Sequence, residues 1–169
     1  PERYRETYWS KFGEKIYFTG DGAKVAEKGD FRLTGRVDDV MKVAGHRLSN
    51  AEIEEALNLH RAVAESAVVA MPHEIKGEVP VAFVLLKKGF KSSEDLANEL
   101  IKHAAVKISP IAKPEKIFFV KDLPTTRSGK IMRRILRSII RKEEIGDVTT
   151  LMNPECTDEL KKLVRSTRN

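Results

Sequence analysis

The stretch VAESAVVAMPHEIKGEVPVAFVLLKKG, Val63 to Gly89, holds two apolar runs rich in β-branched residues around the polar loop HEIKGE. Runs of that length, bounded by turn residues, read as two buried strands. Upstream, Ser49 and Glu52 match a capping box, and Ile53, Ala56 and Leu57 recur at i, i+3 and i+4. That spacing predicts a helix capped by the Ser49 hydroxyl. Downstream, SSEDLANELIKHAAVKI predicts a second capped helix with Leu96, Leu100 and Ile101 inward, closed by Pro110. EKIFFVKDL predicts a further strand, and Met132, Ile135, Leu136 and Ile139 space a third helix. The order after residue 39 is β–turn–α–β–β–α–β–loop–α. It implies an α+β fold, a small mixed sheet with helices covering one side.

Ahead of this, KIYFT, AKVAE and DFRLTGR alternate with the turn signals GDG and KGD, which predicts a short β-rich segment. GRVDD reads as the junction. The expected organisation is a β-rich remnant at 1–37, a domain at 38–142 and a polar tail at 143–169. From Gly146 onward the tail is expected to pack only in part.

The 169 residues are 41% hydrophobic and 33% charged, with one cysteine, Cys156. That composition is globular, excludes an internal disulfide, and makes a reducing, cytoplasmic setting the default. No apolar run is long enough to span a bilayer, so no membrane partner is expected. The net charge of +6 is concentrated: from Lys121 to Lys142 there are eight basic residues against the single acid Asp122. Such a field suits a bound anion or a solvated helix face. The chain starts at Pro1, which suggests a part of something longer.

Four clusters could carry chemistry. Asp21, in the turn YFTGDG, could accept hydrogen bonds from vicinal ribose hydroxyls, although a plain turn aspartate is commoner. GRVDDVMKVAGHRLS combines Arg36, Asp38 and Asp39 with Gly45, His46 and Arg47. Its arginines suit phosphate, and its glycine permits positive φ. TTRSGKIMRR lacks the full pattern of a phosphate-binding loop, but it puts Lys130 on a Ser-Gly turn before a helix. There a mobile cation could stabilise charge developing at a phosphate. NLHRAVAES ends the first helix, where free carbonyls and His60 could hold a cation; a hydrated helix end is the ordinary alternative.

Taken in order, YFTGD, GRVDDVMKVAGHRLSNAEIEEAL, ESAVVAMPHEIKGEVPVAFV and LPTTRSGKIMRRILR resemble the C-terminal portion of AMP-forming acyl-CoA synthetases, the acyl-adenylate-forming superfamily. The members acting on acetate are nearest in motif. The resemblance implies two steps: acetate and ATP, with Mg2+, give acetyl-AMP and pyrophosphate, and CoA then takes the acetyl group. It implies that Asp21, Arg36 and Arg47 bind ATP or AMP and that Asp38 is a hinge for a mobile C-terminal domain. Lys130 would be the catalytic lysine of adenylation, and a target for a lysine acetyltransferase and deacetylase. Ala44, Gly45 and His46 would face CoA. Asn58, His60 and Val63 would form a cation site, the first and last through carbonyls.

Two departures stand out. Ala44 replaces a usual serine, and Ala105 replaces an arginine near the end of the second helix. No Ser/Thr/Gly-rich phosphate loop is present in the sequence, so the implied partner is a large N-terminal domain, without which the chain is expected to be inactive. Two other readings compete. One is a free-standing basic nucleic-acid-binding module, disfavoured because no aromatic lies between Thr125 and Arg141 to stack on bases. The other is half of a split synthetase using another short acid such as propionate.

Overall fold

The computed structural model describes residues 2–13 and 15–166. Its contacts divide the chain into two units, residues 1–40 and 41–169.

The first unit begins with helix α1 (Glu2–Tyr8), where a β-rich segment was expected. Glu, Arg and Tyr without glycine or internal proline favour that local helix. KIYFT forms no strand. Its aromatics turn back on α1 instead: Tyr17 stacks on Tyr8 at 5.0 Å and meets Trp9 edge-on at 5.4 Å. The Phe18 amide donates to the Tyr8 carbonyl (2.8 Å). Strands β1 (Asp21–Val25) and β2 (Phe31–Arg36) form the predicted hairpin, in register from Asp21↔Arg36 to Val25↔Phe31 with an irregularity after Gly22. Val25, Phe31 and Leu33 are exposed on it.

The second unit is a five-stranded mixed sheet in the order β4-β3-β6-β5, with β7 also paired to β6. Strands β3 (Val40–Val43) and β4 (His46–Ser49) precede helix α2 (Asn50–Asn58). β5 (Val63–His73) and β6 (Gly77–Leu86) are the long antiparallel pair read from the sequence, in register from Val63↔Leu86 to His73↔Gly77. Helix α3 (Glu94–Lys107) then leads to β7 (Lys116–Val120), which runs parallel to β6. Helices α4 (Arg133–Arg141) and α5 (Cys156–Ser166) complete the unit.

Helices cover both faces of the sheet, not one. Val63, Val68, Ala70, Ala82, Val84 and Ile117 face Ile53, Leu57, Leu100 and Ala104 of α2 and α3. Ala67, Val69, Val81, Phe83 and Phe118 face Ile135, Leu136, Ile139, Leu160 and Val164 of α4 and α5. The reason lies in the opening stretch: its apolar runs do not alternate, and a strand apolar at every position is covered twice.

One further expectation is corrected: Ser49 sits at the N-cap of α2, but its side chain caps nothing, whereas Ser93 accepts the Leu96 amide (3.1 Å) at the start of α3. The tail packs in part: residues 146–150 are exposed, while Leu151, Cys156, Leu160 and Val164 are buried. Its apolar residues recur at helical spacing (156, 160, 164) inside a polar composition, which hid them.

Candidate active site

Lys130 lies in a tight hairpin. Thr125 bridges Ile131, the Thr126 amide donates to the Lys130 carbonyl (2.9 Å), and the Lys130 amide donates to Thr126 Oγ1 (3.1 Å). Gly129, at φ +77°, makes the tip, and its amide donates to the Thr126 carbonyl (2.8 Å). The Met132 amide closes the base on the Pro124 carbonyl (2.7 Å). The backbone of Lys130 is thus bonded on both sides, while its side chain is exposed. That combination presents an ammonium at a defined point on the surface.

The strand entering this hairpin is held by the tail. Asn153, 5% exposed, donates through Nδ2 to the Leu123 carbonyl (2.8 Å) and to Asp122 Oδ2 (2.5 Å). Its Oδ1 accepts the Thr125 amide (3.1 Å). Thr126 bridges Leu151, and the Met152 amide donates to the Thr125 carbonyl (2.9 Å). Sequence reasoning missed these residues because a lone Asn in a polar tail carries no motif.

The basic segment after Lys130 is partly consumed by the fold. Arg133 grips Glu54 with two hydrogen bonds, Nε to Oε1 (2.7 Å) and Nη2 to Oε2 (2.5 Å). Arg134 donates to the Ile145 carbonyl (2.9 Å) and to the Asp147 carbonyl. Arg141 pairs with Glu78 at 3.3 Å. Glu54 was also missed: a helix glutamate reads as solvent-facing, yet it is 6% exposed and accepts the Val68 amide (2.8 Å).

Ala44 and Gly45 turn the β3–β4 hairpin at φ +48° and +84°, the sign pattern of a type I′ turn. A Cβ on Gly45 would meet nothing within 4 Å, so the tip is open. Ala44 is pinned by its amide to the Lys76 carbonyl (2.9 Å), and His46 Nδ1 lies 3.2 Å from the Ala44 carbonyl. Ala44, Gly45, His46 and Arg47 are all exposed. Glu78 ties this hairpin to α4, because its second oxygen accepts the Lys42 amide (2.8 Å).

In the first unit, Asp21 and Arg36 are cross-strand partners, with Arg36 Nη1 3.7 Å from Asp21 Oδ1 and donating to the Thr19 carbonyl (3.1 Å). Gly20, at φ +79°, lets the guanidinium lie over the backbone, since a Cβ there would sit 2.7 Å from Nη2. Asp38 belongs by its backbone to a short 3-10 turn (Val37–Asp39); its side chain lies outside the described residues.

Asn58, His60 and Val63 surround the end of α2. The His60 Nδ1 accepts the Ala62 amide (3.3 Å), which leaves the proton on Nε2 for Glu99 Oε1 (3.1 Å). Asn58 Oδ1 accepts the Ser66 hydroxyl (2.8 Å). With both nitrogens engaged, the His60 ring does not fit a cation in this arrangement. Among the described residues no group of three or more His, Cys, Asp or Glu is placed to hold a metal ion.

Among the described residues, three side chains have displaced acidities, and burial followed by the nearby Tyr8 and Tyr4 raises that of Tyr17 in the first unit. A hydrogen bond from Lys76, more than its charge alone, holds the Glu115 carboxyl below the ordinary range. Burial, then the Asp122, Glu155 and Glu159 charges, pushes the Cys156 thiol up to about 11.

Residues 52–130 match the family of AMP-binding enzyme C-terminal domains. The chain is 50% identical over 169 residues to the acetyl-coenzyme A synthetase of Rubrobacter xylanophilus, covering 99% of this chain and 26% of that protein. It resembles the ATP-bound crystal structure of MatB from Rhodopseudomonas palustris at 28% identity and TM-score 0.65, covering 79% of this chain and 25% of that one. The fold extends to acetoacetyl-CoA synthetase from Streptomyces lividans at TM-score 0.80 and 20% identity, over 98% of this chain and 25% of that one. The chain spans about a quarter of the length of the curated relatives it matches. It belongs to the acyl-adenylate-forming superfamily, and corresponds to the C-terminal part of its acetyl-coenzyme A synthetases.

Proposed function

We propose that this chain is the mobile C-terminal part of an acetate–CoA ligase that makes acetyl-CoA, AMP and pyrophosphate from acetate, ATP and CoA. The observation that carries the reading is Lys130, a lysine whose backbone is bonded on both sides while its side chain stays exposed. Held so, an ammonium can meet negative charge that builds between the acetate oxygen and the α-phosphate as pyrophosphate leaves. A fixed backbone limits the freedom lost when it docks. Asp21 would hold the ribose hydroxyls, with Arg36 and Arg47 on the nucleotide.

In the second step the open turn Ala44–Gly45 and His46 would line the path of CoA to acetyl-AMP. Its thiol gives up its proton to solvent as the sulfur bonds to the acyl carbon, and AMP leaves with the electron pair of the acyl–oxygen bond. Asp38 would be the hinge and 38–142 the moving domain, with 143–169 as its tail. Mg2+ would come with ATP and neutralise its phosphates. The carbonyls of Asn58 and Val63 would be the ligands that the third cluster offers a further cation.

A large N-terminal domain is the implied partner. The exposed Val25, Phe31 and Leu33 of the β1–β2 hairpin support it, as apolar side chains that such a domain would cover. The exposure of Lys130 likewise suits a lysine acetyltransferase, which would silence adenylation by removing the charge. No helix among the described residues is long and apolar enough to cross a membrane. The nucleic-acid reading is weakened because Arg133, Arg134 and Arg141 bond within the fold.

The test is Lys130→Ala in the full-length enzyme that carries this chain. Acetate-dependent ATP–pyrophosphate exchange should be abolished, while thioester formation from supplied acetyl-AMP survives. Exchange at near wild-type rate would overturn the role given to Lys130.

A further inference from the structure

The matched family region ends at Lys130, yet Leu151, Met152 and Asn153, which hold the strand entering the lysine hairpin, lie beyond it. We propose that Asn153 is a positioning residue for Lys130, acting from the C-terminal tail on the adenylation step alone. The inference rests on the role assigned to Lys130 above.

The path of force is short and covalently continuous. Asn153 is buried, and both ends of its amide are spent on Asp122, Leu123 and Thr125. An amide is needed for this set, because the site requires donors for a carboxylate and a carbonyl together with an acceptor for an amide N–H. Thr125 leads directly to Thr126, whose amide and hydroxyl hold the carbonyl and amide of Lys130. The backbone pairs Thr126↔Leu151 and Met152–Thr125 lay the tail alongside that strand. Arg134 fastens the start of the tail through the Ile145 and Asp147 carbonyls.

Among the described residues no side-chain bond holds the Lys130 ammonium, so its reach is set by where the hairpin sits. A displacement of about 1 Å at a reacting group can cost on the order of a hundredfold in rate. Loss of the Asn153 amide frees the entering strand without touching the nucleotide contacts proposed for Asp21 and Arg36. The Ala44–Gly45 turn stands on other elements, so the second half-reaction has no stake in Asn153.

The experiment uses the full-length enzyme with Asn153→Ala, the isosteric Asn153→Asp, and Val164→Ala as a packing control in the same tail. Asn153→Ala and Asn153→Asp should lower kcat of acetate-dependent exchange at least tenfold with little change in the KM for ATP. Thioester formation from supplied acetyl-AMP should stay within about twofold, as in Val164→Ala. Asn153→Asp keeps the size of the side chain, so it remains informative if the alanine variant fails to fold. Equal loss in both half-reactions, or an equal fall in exchange for Val164→Ala, would overturn the proposal. So would full exchange in both Asn153 variants while Lys130→Ala remains inactive. If Lys130→Ala itself keeps exchange, the underlying reading fails instead.

Discussion

Cys156 shows how far a single side chain can depart from its sequence reading. As the lone cysteine of a polar tail it looks available, but it is 6% exposed and its thiol is pushed up to about 11 from an ordinary 9.0. The folded chain therefore favours the protonated form, and this contribution to stability is complete below about pH 9. It is lost as the pH rises from there toward 11, because the unfolded chain releases its proton first. Urea midpoints measured between pH 8 and 11 should fall less steeply for Cys156→Ala than for the parent. Alkylation of the parent at pH 8 should be slow when folded and fast in denaturant, since the thiolate is the nucleophile. At the same scale, Asp21, Arg36, Lys130 and Arg47 were visible in the sequence because each sits beside a glycine or in a dense polar motif. Asn153 and Glu54 were not, because their partners lie 28 and 79 residues away in the chain.

Among the elements, α4 has the clearest boundary logic. It ends in a Schellman arrangement: the Glu143 amide donates to the Ser138 carbonyl (2.9 Å) and the Lys142 amide to the Ile139 carbonyl (3.3 Å). Lys142 pays for that geometry with φ +60°, a left-handed backbone that a side chain disfavours. Lys142→Gly should stabilise the fold by about 0.5–1 kcal/mol, read as a raised urea midpoint with unchanged slope. Strands β5, β6 and β7 and the helices α2, α3 and α4 were legible because their apolar runs and periods are strong, whereas β4 was not read and KIYFT was read as a strand that does not form. Helix α5 was not, since its buried positions are diluted by Lys, Glu and Asp. The capping box at Ser49 illustrates the opposite error, a matching pattern whose hydroxyl bond does not form.

At the scale of the molecule, the Glu54–Arg133 clasp joins the two helical layers around the open edge of the sheet. β5 is the last strand in the order, and the Glu54 carboxylate takes its Val68 amide as well as the guanidinium. An edge amide is thereby paired and closed to other strands. Arg133→Met should lower stability by about 3 kcal/mol, because it leaves a buried carboxylate without its cation. Chemical denaturation of the chain measures this. Glu54→Gln with Arg133→Met together should recover part of the loss. The two-sided packing was readable in principle from the unbroken apolar runs of β5 and β6. The clasp was not, because its partners come from opposite layers.

Glu78 has a consequence of the same order. One oxygen receives the amide of Lys42 in β3 and the other the guanidinium of Arg141 at the end of α4. The Ala44–Gly45 tip and the helix that follows Lys130 are therefore bolted to one carboxylate on one sheet. If the two must serve one site in turn, the shared carboxylate favours moving them together over bending either alone.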